Sequence, residues 1–152
     1  MFINGQWRNA HGGQTFEVTN PATGEVLAKV PDGGHEDTLD AIESAHAAFP
    51  GWAGRTAFER AEVLNRAYDL MVERKEDLAQ CMTREQGKPL RASRVEVQYA
   101  ADFLRWFAGE ATRVTGQVLP APRKDQRFIV LRQPVGVVGA VTPWNYPISM
   151  LT

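Results

Sequence analysis

The chain has 152 residues, 43% of them hydrophobic, and seventeen basic against eighteen acidic side chains give a formal net charge of −1. That length suits about one domain, and a near-neutral balance without a Lys/Arg run excludes the footprint of a nucleic-acid or membrane-surface binder. A single cysteine, Cys81, excludes an internal disulfide framework and fits a reducing, cytoplasmic compartment.

Phe2 to Trp7 carries Asn4-Gly5 between apolar residues, a short-range hairpin signal, and lacks the basic segment and sustained apolar stretch of a signal peptide. Thr15 to Thr19 alternates around Phe16 and Val18. Asn20-Pro21-Ala22-Thr23-Gly24 has turn chemistry, and Val26, Ala28 and Val30 alternate again. Residues 1–30 therefore read as short antiparallel strands. Leu39, Ile42, Ala45 and Phe49 recur at helical spacing over Glu36 to Phe49, and Pro50-Gly51 is expected to end that helix. Thr56-Ala57-Phe58-Glu59 has the form of a capping box opening a second helix, whose apolar stripe is Val63, Leu64, Ala67, Leu70 and Met71. The cluster from Glu73 to Asp77 marks a bend. A second leg, Leu78 to Gln86, stops at Gly87-Lys88-Pro89, glycine as cap and proline just beyond.

Arg91 to Val114 reads as the third long helix. Val95, Tyr99, Phe103 and Trp106 form one stripe, and Val97, Ala101, Leu104 and Phe107 lie toward another, which implies cover on more than one side. Phe103, Trp106 and Phe107 are expected to pack as core. Val118-Leu119 and Phe128 to Leu131 flank the polar loop 123–127 and form a hairpin. Its apolar faces need another sheet or subunit to cover them. Val135 to Val141 is a charge-free, β-branched run, the composition of a strand buried on both faces of a parallel sheet. Thr142 to Pro147 is a turn with two prolines around one amide, and Ile148 to Thr152 looks like a first helical turn with Pro147 suited to its opening position. The uncharged run Gln133 to Thr152 has the length of a membrane span, but its three prolines and polar residues would leave backbone groups unsatisfied in lipid.

Few constellations carry chemistry. His11, His35 and His46 are scattered without a further ligand at suitable spacing, so no metal site is expected. Cys81 sits among Leu78, Ala79 and Met82, where a free cysteine is usually a small core residue. Gly136 and Gly139 lie inside the apolar run, not after it, and make no dinucleotide fingerprint of the usual kind. Asn145 remains, held between Trp144 and Tyr146 and pinned by Pro143 and Pro147. Its carboxamide N–H could stabilise an oxygen that becomes negative in a transition state. Equally, Asn145 could cap the helix that follows. Spacing alone leaves the two readings level.

Taken together, Phe2-Ile3-Asn4-Gly5, Asn20 to Val26, Glu85-Gln86-Gly87-Lys88-Pro89, and Gln133 to Val137 leading into Thr142-Pro143-Trp144-Asn145-Tyr146-Pro147 resemble the aldehyde dehydrogenase superfamily, in order and spacing, over the whole chain. Glu85 to Leu90 and Tyr99 to Phe107 look most like the succinate-semialdehyde dehydrogenase branch. The resemblance implies an α/β fold of short antiparallel strands, three long helices, a protruding oligomerisation hairpin and the first strand of a Rossmann-like parallel sheet. Residues 1–113 would form the N-terminal part of the cofactor-binding domain, 114–134 the hairpin, and 135–152 the first strand and loop of the sheet.

In such enzymes a cysteine thiolate attacks the aldehyde, hydride passes to NAD or NADP, and a glutamate activates the water that releases the acid. The resemblance gives Asn145 the role of oxyanion donor and sets Thr142, Pro143, Trp144 and Asn145 beside the nicotinamide. It implies a homo-oligomer formed through the 118–131 hairpin, with a small aldehyde as substrate. The family's nucleophilic cysteine, general-base glutamate, glycine-rich cofactor loop and ribose-binding lysine all lie beyond Thr152, and Cys81 matches none of them. The chain is therefore expected to be an incomplete enzyme, inactive alone. The rival expectation is an interaction module whose hairpin inserts into a full-length relative.

Overall fold

Local signals set the helix boundaries. In the computed structural model, which describes residues 1–152, Thr56 opens α2 (Ala57–Glu73). Its hydroxyl accepts from the Glu59 N–H at 3.2 Å, while the Glu59 carboxylate accepts from the Thr56 N–H at 2.7 Å. That is the reciprocal box read from the sequence. Arg74 closes α2 and opens α3 (Lys75–Gln86), which places the bend inside the charged cluster. Gly87 then takes a left-handed φ of +73° and donates to the Thr83 carbonyl at 2.9 Å, closing α3 before Pro89 leads into α4 (Leu90–Ala111).

The strands form three separate antiparallel pairs: β1 (Phe2–Ile3) with β2 (Gln6–Trp7), β3 (Thr15–Thr19) with β4 (Val26–Pro31), and β5 (Gln117–Leu119) with β6 (Phe128–Val130). Asn4 and Gly5 both have positive φ, 52° and 74°, as a tight hairpin turn requires. β5 and β6 pair with Val118 opposite Ile129, and Val118, Ile129 and Leu131 stay exposed.

The packed centre lies where α4 meets α2 and α3. Ala79, Met82 and Val97 are sealed there, with Met71, Leu78, Leu90 and Ile148 against them. Small residues on α4 (Ser93, Ala100, Ala101 and Ala108) are buried and let the neighbouring helices approach closely. No helix is long and apolar enough to cross a membrane.

Several sequence expectations need correction. The first helix, α1 (His35–Ala53), does not end at Pro50-Gly51. Proline withdraws a single donor near the end of a helix, and the later N–H groups continue the ladder, so α1 runs on to Gly54. Its apolar positions Leu39 and Ile42 are half exposed. The charged Asp37 is its buried residue: the carboxylate accepts from the N–H groups of Gly34 and His11, at 3.0 and 3.1 Å. The Gly34 hydrogen bond leads the effects that hold Asp37 below the usual carboxylate range.

Of the expected core aromatics only Phe103 is partly buried, 4.7 Å from the Tyr99 ring centre. Tyr99 is 51% and Trp106 66% exposed, and Phe107 is exposed as well. Only the Val97 and Ala101 side of α4 is covered by α2 and α3; helical periodicity marks an apolar face without saying which partner covers it. Cys81 is exposed on α3. Val135 to Val141 forms no strand. A strand exists through its neighbours' hydrogen bonds, and none of the three sheets reaches this run. Gly136, at φ +105°, turns the backbone out of the extended region as well. Ile148 to Thr152 makes turns, with a bond from the Met150 N–H to the Tyr146 carbonyl at 3.3 Å, and does not form a regular helix.

Candidate active-site loop

The loop from Thr142 to Pro147 is held from the side by the junction of α3 and α4. Gln86, in the last turn of α3, donates its side-chain amide to the Trp144 carbonyl. Lys88, just past the Gly87 cap, donates to the Asn145 carbonyl at 2.7 Å, pairs with Glu96 of α4, and lies 4.4 Å from the centre of the Tyr146 ring. Glu96 is buried and also accepts from the backbone N–H groups of Ile148 and Ser149, at 3.2 and 3.4 Å. Ile148 seals the arrangement by packing on the Met82–Val97 core.

These contacts bear on the capping alternative for Asn145. A capping asparagine would accept from amides at the start of the following turn. Here Glu96 takes the Ile148 and Ser149 amides. The Asn145 side chain is exposed, and the bond at this residue is made by its backbone carbonyl. Its carboxamide is left free to meet something outside the chain.

A cavity of about 730 Å³ adjoins the loop, lined by Lys88, Val95, Glu96, Tyr99, Tyr146 and Met150 among others. Its walls are chiefly apolar, with the Lys88–Glu96 pair at the side nearest Asn145. Val95 and Tyr99, read from the sequence as part of a stripe that needs cover, are wall residues. Sequence reasoning passed over Glu96 altogether. The available signal was a carboxylate set between Val95 and Val97 on a largely apolar helix, where an unpaired charge would be costly.

The remaining sequence candidates divide. Thr142, Pro143 and Trp144 sit with Asn145 on the loop; Trp144 is exposed and Thr142 partly buried. These 152 residues contain no glycine-rich phosphate loop of a dinucleotide site. Cys81 is on the far leg of α3, and partial burial, followed by the nearby Glu85 charge, pushes its thiol above the usual range. A thiol held in its protonated form is a poor nucleophile.

Four helices around a small core, with three short antiparallel strand pairs, make a mixed α/β fold. Comparison with known proteins narrows this. Residues 7–152 match the aldehyde dehydrogenase family, and the chain belongs to that family. It is 51% identical over 151 residues to glutarate-semialdehyde dehydrogenase of Pseudomonas putida, covering 99% of this chain and 32% of the relative. It is 47% identical over 150 residues to the succinate-semialdehyde dehydrogenase [NADP(+)] of Escherichia coli, covering 99% of this chain and 31% of the relative. The crystal structure of succinate-semialdehyde dehydrogenase from Burkholderia pseudomallei superposes with a TM-score of 0.96 at 48% identity, over 99% of this chain and 31% of that one. The chain thus spans about a third of the length of the relatives it matches, in their N-terminal part.

Proposed function

We propose that these residues serve NAD- or NADP-dependent oxidation of an aldehyde to its acid, as the N-terminal part of a complete enzyme, with a semialdehyde such as succinate semialdehyde as substrate. The observation that carries this is the free carboxamide of Asn145 on a loop whose flanking backbone is tied down by Gln86, Lys88 and Glu96. As the aldehyde carbon is attacked, its oxygen becomes negative. A donor already aimed at that oxygen stabilises the transition state without reorganising. The cavity lined by Val95, Tyr99 and Met150 would offer an apolar wall for the body of the aldehyde beside the loop.

Bound NAD or NADP would supply the hydride acceptor. Thr142, Pro143, Trp144 and Asn145 would meet its nicotinamide end; the family match and the NADP(+) in the name of the Escherichia coli relative support this. The nucleophile and general base come from the remainder of the enzyme, so the 152 residues alone form no NAD(P)H from an aldehyde. In the complete enzyme Asn145→Ala should lower kcat about 10²–10³-fold, as loss of one oxyanion donor does. Because the side chain is exposed, folding stability should change by no more than about 0.5 kcal/mol. Near-wild-type turnover would defeat the assignment.

The β5–β6 hairpin is proposed as the self-association arm. Its support is the exposure of Val118 and Ile129, opposite each other on one short strand pair, and of Leu131 just past it. Ile129→Glu should shift the assembled enzyme to a lower mass in light scattering; an unchanged mass would remove the hairpin from the interface.

A further inference from the structure

We propose that Lys88 and Glu96 are positioning residues for the reaction, a two-residue clamp that aims Asn145 without touching the substrate oxygen. The proposal deepens the oxyanion reading of Asn145 and rests on it for its catalytic meaning. Lys88 spends its charge on three acceptors: the Glu96 carboxylate, the Asn145 carbonyl and the face of the Tyr146 ring. Two of those three are on the loop. Glu96 in turn holds the amides of Ile148 and Ser149 on the other side of Pro147. Gln86 fixes the carbonyl of Trp144, on the near side. The backbone is thus gripped on both sides of Asn145 and at Asn145 itself, while its side chain is left unbound.

The burial pattern argues that this is more than a fold contact. The Glu96 side chain is only 2% exposed and that of Lys88 17%. An ion pair so placed adds little stability over an apolar pair of similar volume. What an apolar pair could not supply is an ammonium donor to the Asn145 carbonyl and a carboxylate acceptor for two amides. The geometry therefore assigns the pair to direction: Glu96 anchors the charge to α4, and Lys88 carries that anchor to the loop. A displacement of about 1 Å in a reacting group can cost on the order of 10²-fold in rate, and Lys88 and Glu96 act on the backbone atoms that set where the Asn145 amide points.

The test is a set of variants in the complete enzyme that carries this segment. Lys88→Met should lower kcat about 10–100-fold while leaving the KM of the aldehyde within about twofold, and Lys88→Arg, which keeps charge and donors, should recover most of the loss. Combining Lys88→Met with Asn145→Ala should be no worse than Asn145→Ala alone, because a residue acting through another loses its effect when that other is removed. Lys88→Met/Glu96→Leu should regain folding stability but not kcat. Recovery of wild-type kcat in that apolar pair would overturn the proposal, as would independent losses in the combined variant. If Asn145→Ala itself keeps full turnover, the oxyanion reading falls, and the clamp is then judged by the crystal structure of the Lys88→Met enzyme. A loop displaced by about 1 Å upholds it, and an unmoved Asn145 overturns it.

Discussion

Met82 joins the helices to the segment that follows the Thr142–Pro147 loop, which makes Met82→Ala the most informative single change to the core. The side chain is 1% exposed and is walled by α2, α3, α4 and Ile148 of the C-terminal turn. Truncation to alanine removes a thioether arm from a site whose walls come from four separate pieces of chain, so collapse into the space is poor. Buried Met→Ala changes cost about 2–5 kcal/mol, and the rigidity of a helix-walled site puts the expectation at about 3 kcal/mol. Such a loss is a large share of a stability that for most domains is about 5–15 kcal/mol.

With a urea m-value of about 2 kcal/mol/M, the unfolding midpoint should fall by about 1.5 M. The assay is equilibrium urea denaturation followed by circular dichroism, with Val95→Ala as control. Val95 is 64% exposed in the cavity wall, and its truncation should cost about 0.5 kcal/mol or less. If the two variants shift the midpoint equally, Met82 is not the keystone of the core. A changed m-value would show that the variant altered the unfolding reaction itself and would also refute the cavity argument. The same substitution should loosen the loop, since Ile148 loses its seat.

Gly87→Ala should destabilise by about 1–2 kcal/mol through its left-handed φ, the more so because an added Cβ would lie 2.9 Å from Pro21 Cγ; a neutral result in thermal melts would contradict this. Glu76 is held down to a pKa of about 2, first by its two hydrogen bonds from Arg94 and then by Gln80. A folded pKa below the unfolded value gives stability that is present above about 4.5 and lost as pH falls toward about 2. Glu76→Gln should flatten the melting temperature across that window, and identical pH profiles for variant and parent would refute the linkage.

What was legible in the sequence was local. Thr56 with Glu59, Gly87 before Pro89, and Asn4-Gly5 each specify geometry within a few residues, and each is found as expected. The family motif around Asn145 was legible for the same reason, since its prolines and amide are contiguous. The clamp was not, because Lys88 and Asn145 lie 57 residues apart and nothing in either segment announces the other. Trp106 and Phe107 on the outer face of α4 were read as core because an apolar stripe looks the same whether or not residues 1–152 contain the partner that covers it. Val135 to Val141 has strand composition, but composition describes suitability for a sheet and cannot provide the neighbouring strands. Cys81 failed similarly: flanking Ala79 and Met82 are sealed, yet the helix turns Cys81 to solvent.

The chain's route into the Thr142–Pro147 turn, from Val135 on, is an unpaired ribbon. Side chains from a helix junction more than fifty residues earlier grip that turn from the side. Anyone transplanting the motif onto a different scaffold would have to bring residues 86–96 along. The six-residue string moved by itself would reproduce the chemistry of the amide and lose its aim.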